Sequence, residues 1–161
     1  MKIYLMARYG RRLEMLAIAA ELERMGHQVT SRWIRGEHEL QDELLNTDPK
    51  FRDEQGAMFA KDDLEDLLAA NCAIAFTEEP GVKHGRGRGG RHFEAGVAYT
   101  LLHYTDPELA LGPDRLICCG HKENVFMCLP DWEHYPDWPT CLAALLEECV
   151  PTTPAHQPAL L

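Results

Sequence analysis

Short apolar runs alternate along the chain with segments whose apolar residues recur every three or four positions. That alternation predicts strands and helices in turn. Residues 2–7 form an apolar run of strand length. Residues 11–25 follow as a helix, with Met15, Ile18, Leu22 and Met25 spaced 3, 4 and 3 and Gly26 as its stop. Residues 28–33 read as a second strand, and the polar stretch 35–55, with Gly36 and Pro49, as a loop or lid. A second helix spans 56–70, with Ala60, Leu64, Leu67 and Leu68 on one face, and 72–76 is a third strand. Residues 77–90 are a long loop rich in glycine and arginine, and 91–104 a largely apolar helix. An exposed connection at 105–114 leads to a fourth strand at 115–120. His134 and Tyr135 suggest a short fifth strand before a closing helix at 138–150, and the proline-bearing tail 151–161 reads as frayed.

Strands alternating with helices predict a parallel sheet covered on both faces. The expectation is one α/β domain over residues 1–150, a flavodoxin-like or Rossmann-like three-layer sandwich with a mostly parallel sheet of four to five strands. Such sheets bind ligands beyond the carboxyl ends of their strands. Three segments are therefore worth searching: 8–12, 77–90 and 121–124.

Charge narrows the partners. The 161 residues carry 26 acids and 16 bases, a net charge of −10. This disfavours a nucleic-acid polymer, which calls for a basic face, and an anionic membrane held by a polybasic patch. No apolar run approaches the roughly 18 residues of a membrane span, and the N-terminus does not read as a signal peptide. The six cysteines lie mostly in runs that read as buried, so reduced thiols and a cytoplasmic location are expected.

The segment GRGRGGRHFEAGVAYTLL holds the most pointed chemistry. Glu94 shares a helix face with Ala98, Leu101 and Leu102, and no other acid stands between Pro80 and Asp106. Placed in the first helical turn, it would be a desolvated but ionised carboxylate, suited to nucleophilic work or to stabilising a cation. The plainer reading is an acid that merely complements the helix dipole. Gly85, Gly87 and Gly90 match a dinucleotide fingerprint in letters, but eight residues separate Phe76 from Gly85, and no strand-end acid follows at the required distance. Arg86, Arg88 and Arg91 among these glycines suit a phosphate instead, or else pair with acids of residues 37–54 to close a lid.

Of the acids Asp62, Asp63, Glu65 and Asp66, Asp63 lies nearest the apolar stripe, with the other three turned further toward water. A solvated acidic face is the plain alternative. The first loop offers Arg8, Tyr9, Gly10 and Arg11 to an anion or a ring. Cys118, Cys119, His121, Cys128 and His134 lack zinc spacing, and Cys118 and Cys119 point to opposite faces of one strand. No metal or organic cofactor is expected.

The elements KIYL, FAKDDLEDLLAAN, GGRHFEAGVAY and HKENVFMCLP, in this order from Met1 to about Leu146, resemble the nucleoside 2-deoxyribosyltransferase superfamily. That superfamily includes 2′-deoxynucleoside 5′-monophosphate N-glycosidases. The resemblance implies that Glu94 attacks the anomeric carbon, that Asp63 lines the site, and that Tyr4 positions the nucleophile. It implies that Asn124 is lent by a neighbouring subunit, hence a homo-oligomer with shared sites. Arg8, Tyr9, Gly10, Arg11, Arg88, Gly90 and Arg91 are then the expected substrate-binding residues. Arg88 stands where the transferases carry a base-side acid, and Asn71 where aspartate is common. The expected ligand is a nucleoside or nucleotide, with the arginines moving weight toward a 5′-monophosphate. The expected activity is N-glycosidic cleavage or transfer, to water or to a second base. A non-catalytic nucleotide sensor is the rival, and an acid kept on an apolar face favours the enzyme.

Overall fold

The computed structural model describes residues 1–36, 49–79 and 89–149. The expected tail at 151–161 and the arginines Arg86 and Arg88 lie outside the described residues.

Five strands form one all-parallel sheet in the order β2-β1-β3-β4-β5, the order of a flavodoxin-like doubly wound domain. They are β1 (Lys2–Met6), β2 (Gln28–Val29), β3 (Cys72–Phe76), β4 (Arg115–Cys119) and β5 (Trp132–Tyr135). The α-helices among the described residues are α1 (Arg12–Arg24), α2 (Pro49–Leu68), α3 (Gly90–Tyr104) and α4 (Trp138–Cys149).

Side chains alternate across the sheet and sort it into two faces. Ile3, Leu5, Ile74, Phe76, Ile117 and Cys119 face α1 and α4. The ring of Trp138 at the start of α4 packs 5.7 Å from Phe76, and its indole N–H donates to Glu21 of α1 at 2.7 Å. The other face turns Tyr4, Met6, Ala73, Ala75, Leu116 and Cys118 toward α2 and α3, which pack against each other while α3 lies over β1, β3 and β4. Cys118 and Cys119 thus do point to opposite faces. All of these strand residues are buried, so the core is continuous through the sheet.

Several boundaries differ from the pattern reading, each for a local reason. The second strand stops after two residues instead of running to Trp33. Its onward partner groups on β1 are taken by side chains: Leu5 N–H donates to Ser31 Oγ at 2.7 Å, and the Trp33 indole N–H donates to Leu5 O at 2.9 Å. The chain there turns into a short 3-10 helix at Arg32–Ile34. Helix α2 begins at Pro49, seven residues before the expected start at Gly56. A proline suits the first helical position, because its fixed φ is already helical and its missing N–H is not needed there. The fifth strand starts at Trp132, two residues earlier than expected. Trp132 is buried, and the strand pairs with β4 throughout.

The carboxyl ends of β3 and β4 meet at Gly120. Its φ is +117°, and an added Cβ would stand 2.5 Å from Thr77 Oγ1 and 2.9 Å from Thr77 O. Backbone cannot yield as a flexible side-chain tip can, and a side chain at such a φ is strained in any case. Gly120→Ala should therefore cost at least about 2 kcal/mol and lower the melting temperature by about 4–8 °C. Thermal unfolding checks this, and an unchanged midpoint would show that the turn relaxes freely.

Candidate functional site

The sheet face covered by α2 and α3 carries Tyr4, Glu94 and Asp63, with the Asp66 carboxylate of α2 near enough to act on the Tyr4 hydroxyl as well. Tyr4, on β1, is fully buried. Ala73 stands opposite it on β3, leaving the tyrosine ring small neighbours on that side. Glu94 reaches in from α3 and Asp63 from α2, and both charges act on the Tyr4 hydroxyl. Burial first, then those two carboxylates, hold the phenol pKa well above its ordinary value. Tyr4 therefore stays a neutral donor directed at Glu94. Its Oη meets strict hydrogen-bond geometry with none of the described residues, although its proximity still favours the ionised form of Glu94.

Glu94 differs from the sequence expectation in two linked respects. Helix α3 starts at Gly90, with Gly89 at φ +73° as its left-handed cap, and there is no acid in its first turn. Glu94 is consequently a second-turn residue, past the unpaired N–H groups whose partial charge would hold a carboxylate ionised. Burial, followed by the charge of Asp63, pushes its pKa up to about 8, against the smaller opposing pull of Tyr4. Burial and Asp63 thus favour the protonated form of Glu94, where an ionised carboxylate was expected.

Asp63 is the acid that periodicity selects, and the other three acids of α2 explain why it is available. The Asp66 carboxylate accepts from the N–H of Arg32 and from its Nε, both at 2.7 Å. Arg32 Nη2 also donates to Asp62 O at 2.9 Å and to Glu65 Oε2 at 3.2 Å, and Nη1 lies 3.2 Å from Asp62 Oδ1. Three acids thus clasp one arginine and fix the rotation of α2, which turns Asp63 toward Tyr4 and Glu94. The plain expectation that these acids are merely solvated fails for Asp66, which is 7% exposed.

The strand-end segments converge at the start of α3. Arg8 Nε donates to Glu78 Oε1 at 2.9 Å. Arg11 donates to both Glu14 oxygens, at 2.8 and 2.6 Å, and to Thr77 O at 3.2 Å, with its guanidinium 5.7 Å from the centre of the Phe76 ring. Arg91 Nη2 lies 2.7 Å from each oxygen of Glu123, and the Glu78 N–H donates to Glu123 Oε1 at 2.7 Å. Glu78 and Glu123, absent from the sequence expectation, are therefore the partners of Arg8 and Arg91. Their positions one or two residues past a strand, and three past a strand-closing glycine, were the available signal. Tyr9 and Gly10 lie in the 3-10 turn at Tyr9–Arg11 that leads into α1, with the Tyr9 ring 6.3 Å from Trp33. Gly90 opens α3. Arg88 lies outside the described residues.

Asn124 caps the 3-10 turn at Val125–Cys128: its Oδ1 accepts from Phe126 N–H at 3.0 Å and Met127 N–H at 3.3 Å. Its Nδ2 lies 3.4 Å from His92 Nδ1, near the start of α3 in the same chain. On this side of α3 a cleft of about 970 Å³ opens between Arg91, His92, Tyr99, Glu123, Phe126 and Trp132. Among the described residues no group of three or more His, Cys, Asp or Glu side chains could hold a metal ion, and no helix is long and apolar enough to cross a membrane.

The raised pKa of Glu94 has a thermodynamic consequence. Below its ordinary value of 4.5, folded and unfolded chains both keep the proton. Between 4.5 and about 8 only the unfolded chain releases it, so the folded state loses stability as the pH rises through this window. Above about 8 the loss is complete and constant. Glu94→Gln removes the ionisation. Its melting temperature should therefore gain on the parent between pH 5 and pH 8, by several degrees. A gap that stays constant across that range would show that Glu94 titrates normally.

No family model matches the chain, and no curated protein sequence matches it. Among solved structures, the chain is similar to a CMP N-glycosidase, BcmB, from Clostridium botulinum, at 19% identity and a TM-score of 0.45, over 92% of this chain and 99% of that one.

Proposed function

We propose that the protein cleaves or transfers the N-glycosidic bond of a nucleoside 5′-monophosphate through a covalent glycosyl–Glu94 intermediate. The observation that carries this reading is the half-buried Glu94–Asp63 pair acting on the buried, neutral Tyr4 hydroxyl of a parallel sheet. The order of motifs shared with nucleoside 2-deoxyribosyltransferases supports it.

The chemistry fits the pair. Breaking the bond between sugar and base leaves positive charge on the sugar ring and negative charge on the departing base. A carboxylate beneath the anomeric carbon stabilises the first and then bonds to it. The second needs a proton. Two close carboxyl groups of which one stays protonated supply both at once: Glu94 attacks as its proton passes, through Asp63, to the leaving nitrogen. Tyr4 holds the Glu94 oxygen that does not attack. The ester is then opened by water, giving the sugar phosphate, or by a second base, giving exchange. The arginines Arg8, Arg11, Arg88 and Arg91 favour the phosphorylated substrate. A ligand sensor has no use for a carboxyl group whose enclosure costs stability at neutral pH.

The test is to incubate the protein with a panel of nucleosides and their 5′-monophosphates, with and without free base, to separate the products and to weigh the intact protein. A mass increment of one glycosyl group on the parent, absent from Glu94→Gln, is expected. Turnover should fall by at least about 10³-fold in Glu94→Gln. A variant with near-normal rates ends the proposal.

The active form is a homo-oligomer in this reading. Phe93, Gly96, Val97, Thr100, Leu101 and Tyr104 recur along α3 as one outward stripe, and Phe93 and Tyr104 are 65% and 80% exposed. Val125 and Phe126, 77% and 71% exposed, extend the apolar surface from the Asn124 turn. A second copy covering this surface would bring its own Asn124 turn near the Glu94 helix. Sedimentation should find a dimer or larger assembly, and the double substitution Phe93→Glu with Phe126→Glu should yield monomers. A monomeric parent at working concentration contradicts this.

A further inference from the structure

The carboxylate of Glu123 occupies a place shaped for a different anion. Its Oε1 accepts a backbone N–H from Glu78 at 2.7 Å, and both of its oxygens lie 2.7 Å from Arg91 Nη2. Its side chain is only 13% exposed. Holding an arginine in place needs no backbone donor. A main-chain N–H and a guanidinium converging on one small anion, where strand ends meet the start of a helix, is the donor set that phosphate oxygens take. The slot also has spare capacity. Arg91 Nε is enclosed and has no partner among the described residues, and Arg91 Nη1 stays 3.7 Å from Glu78 Oε2, beyond a hydrogen bond. A carboxylate has two oxygens to offer, and a phosphate monoester has three.

Glu123 is also placed to leave. It belongs to the turn between Gly120 and the 3-10 helix, where His121 and Lys122 are exposed. His92 Nε2 lies 3.9 Å from its Oε2, and both His92 and Lys122 line the adjoining cleft, so a displaced carboxylate has cationic or polar groups to move toward. Arg91 stands three residues before Glu94 on α3, on neighbouring positions of one helix face.

We infer that Glu123 is an internal stand-in for the substrate's phosphate: it fills the anion slot formed by Arg91 and the Glu78 N–H, and an incoming 5′-phosphate displaces it. This rests on the proposed function for the identity of the phosphate's carrier. An uncharged nucleoside cannot expel Glu123, so the slot stays closed to it. Glu123 thereby becomes a specificity-determining residue that sets how strongly a phosphate must bind to enter.

The experiment is calorimetric titration of the full-length protein with inorganic phosphate, beside a separate assay of nucleotide turnover. Glu123→Gln removes the competing charge and should bind phosphate about tenfold more tightly than the parent, the scale of one charge-assisted contact. Glu123→Asp, which draws the carboxylate back by one methylene, should also bind more tightly and serves if the glutamine variant does not fold. Arg91→Gln should abolish the phosphate signal in either background. Phosphate affinity that is unchanged or weaker in a folded Glu123 variant overturns the inference, as does binding that survives Arg91→Gln. The titration does not depend on turnover. Tighter phosphate binding without nucleotide cleavage by the parent would remove the proposed function and leave this slot standing. Cleavage with unaltered phosphate affinity would do the reverse.

Discussion

A carboxyl group drawn out of water beside a second acid is hard to ionise, and the site is organised around that constraint. Glu94 and Asp63 come from different helices, so their approach is enforced by the packing of α2 and α3 over the sheet rather than by local sequence. The apolar layer withdraws water from Glu94, the neighbouring acid raises its pKa further, and Tyr4 opposes both with a smaller effect. The energy that holds this arrangement must come from elsewhere in the fold. Part of it comes from the Arg32 clasp on Asp62, Glu65 and Asp66, which ties α2 to the segment after β2 and sets the helix rotation.

A second set of charges, at the strand ends, is arranged on a different principle. Burial and a neighbouring acid raise the pKa of Glu94, whereas Arg8, Arg91, Glu78 and Glu123 neutralise one another at hydrogen-bond distance or close to it. Separation of a carboxyl group with a raised pKa from this ion-pair network keeps a proton available in one place and an exchangeable ion contact in the other. Glu94 and Arg91 both lie in the first two turns of α3, so one rigid helix sets the spacing between them.

Most of the fold could be read from the order of apolar runs, because five short buried runs separated by amphipathic segments leave few alternatives to a parallel sheet. Helical periodicity puts Asp63 nearer the apolar stripe than its acidic neighbours, yet Asp66 is the buried acid of this helix and Asp63 is half-buried. What could not be read depended on contacts between distant parts of the chain. The second strand ends where Ser31 and Trp33 take over the bonds of Leu5, and no propensity of residues 30–33 encodes that. Asp66 looks like a surface acid until Arg32, 34 positions away, is placed against it. The proton on Glu94 follows from a one-residue shift in a helix start together with the nearness of Asp63. Glu78 and Glu123 are 45 positions apart, and no spacing in the sequence joins them. Arg8, Arg11 and Arg91 were found by their charge, but their partners were not, since charge pairing is decided by the sheet order.

The early end of β2 also governs what the sheet can join. Beyond Ile3, the outer side of β1 would present the N–H and C=O of Leu5 to any passing strand. Ser31 Oγ and the Trp33 indole occupy both groups from within the chain, and Ser31, Trp33 and Ile34 bury themselves over them. An unpaired margin of a parallel sheet is a template for edge-to-edge aggregation. Here it is sealed by two side chains in place of a longer strand, so further copies of the chain cannot extend the sheet from that margin.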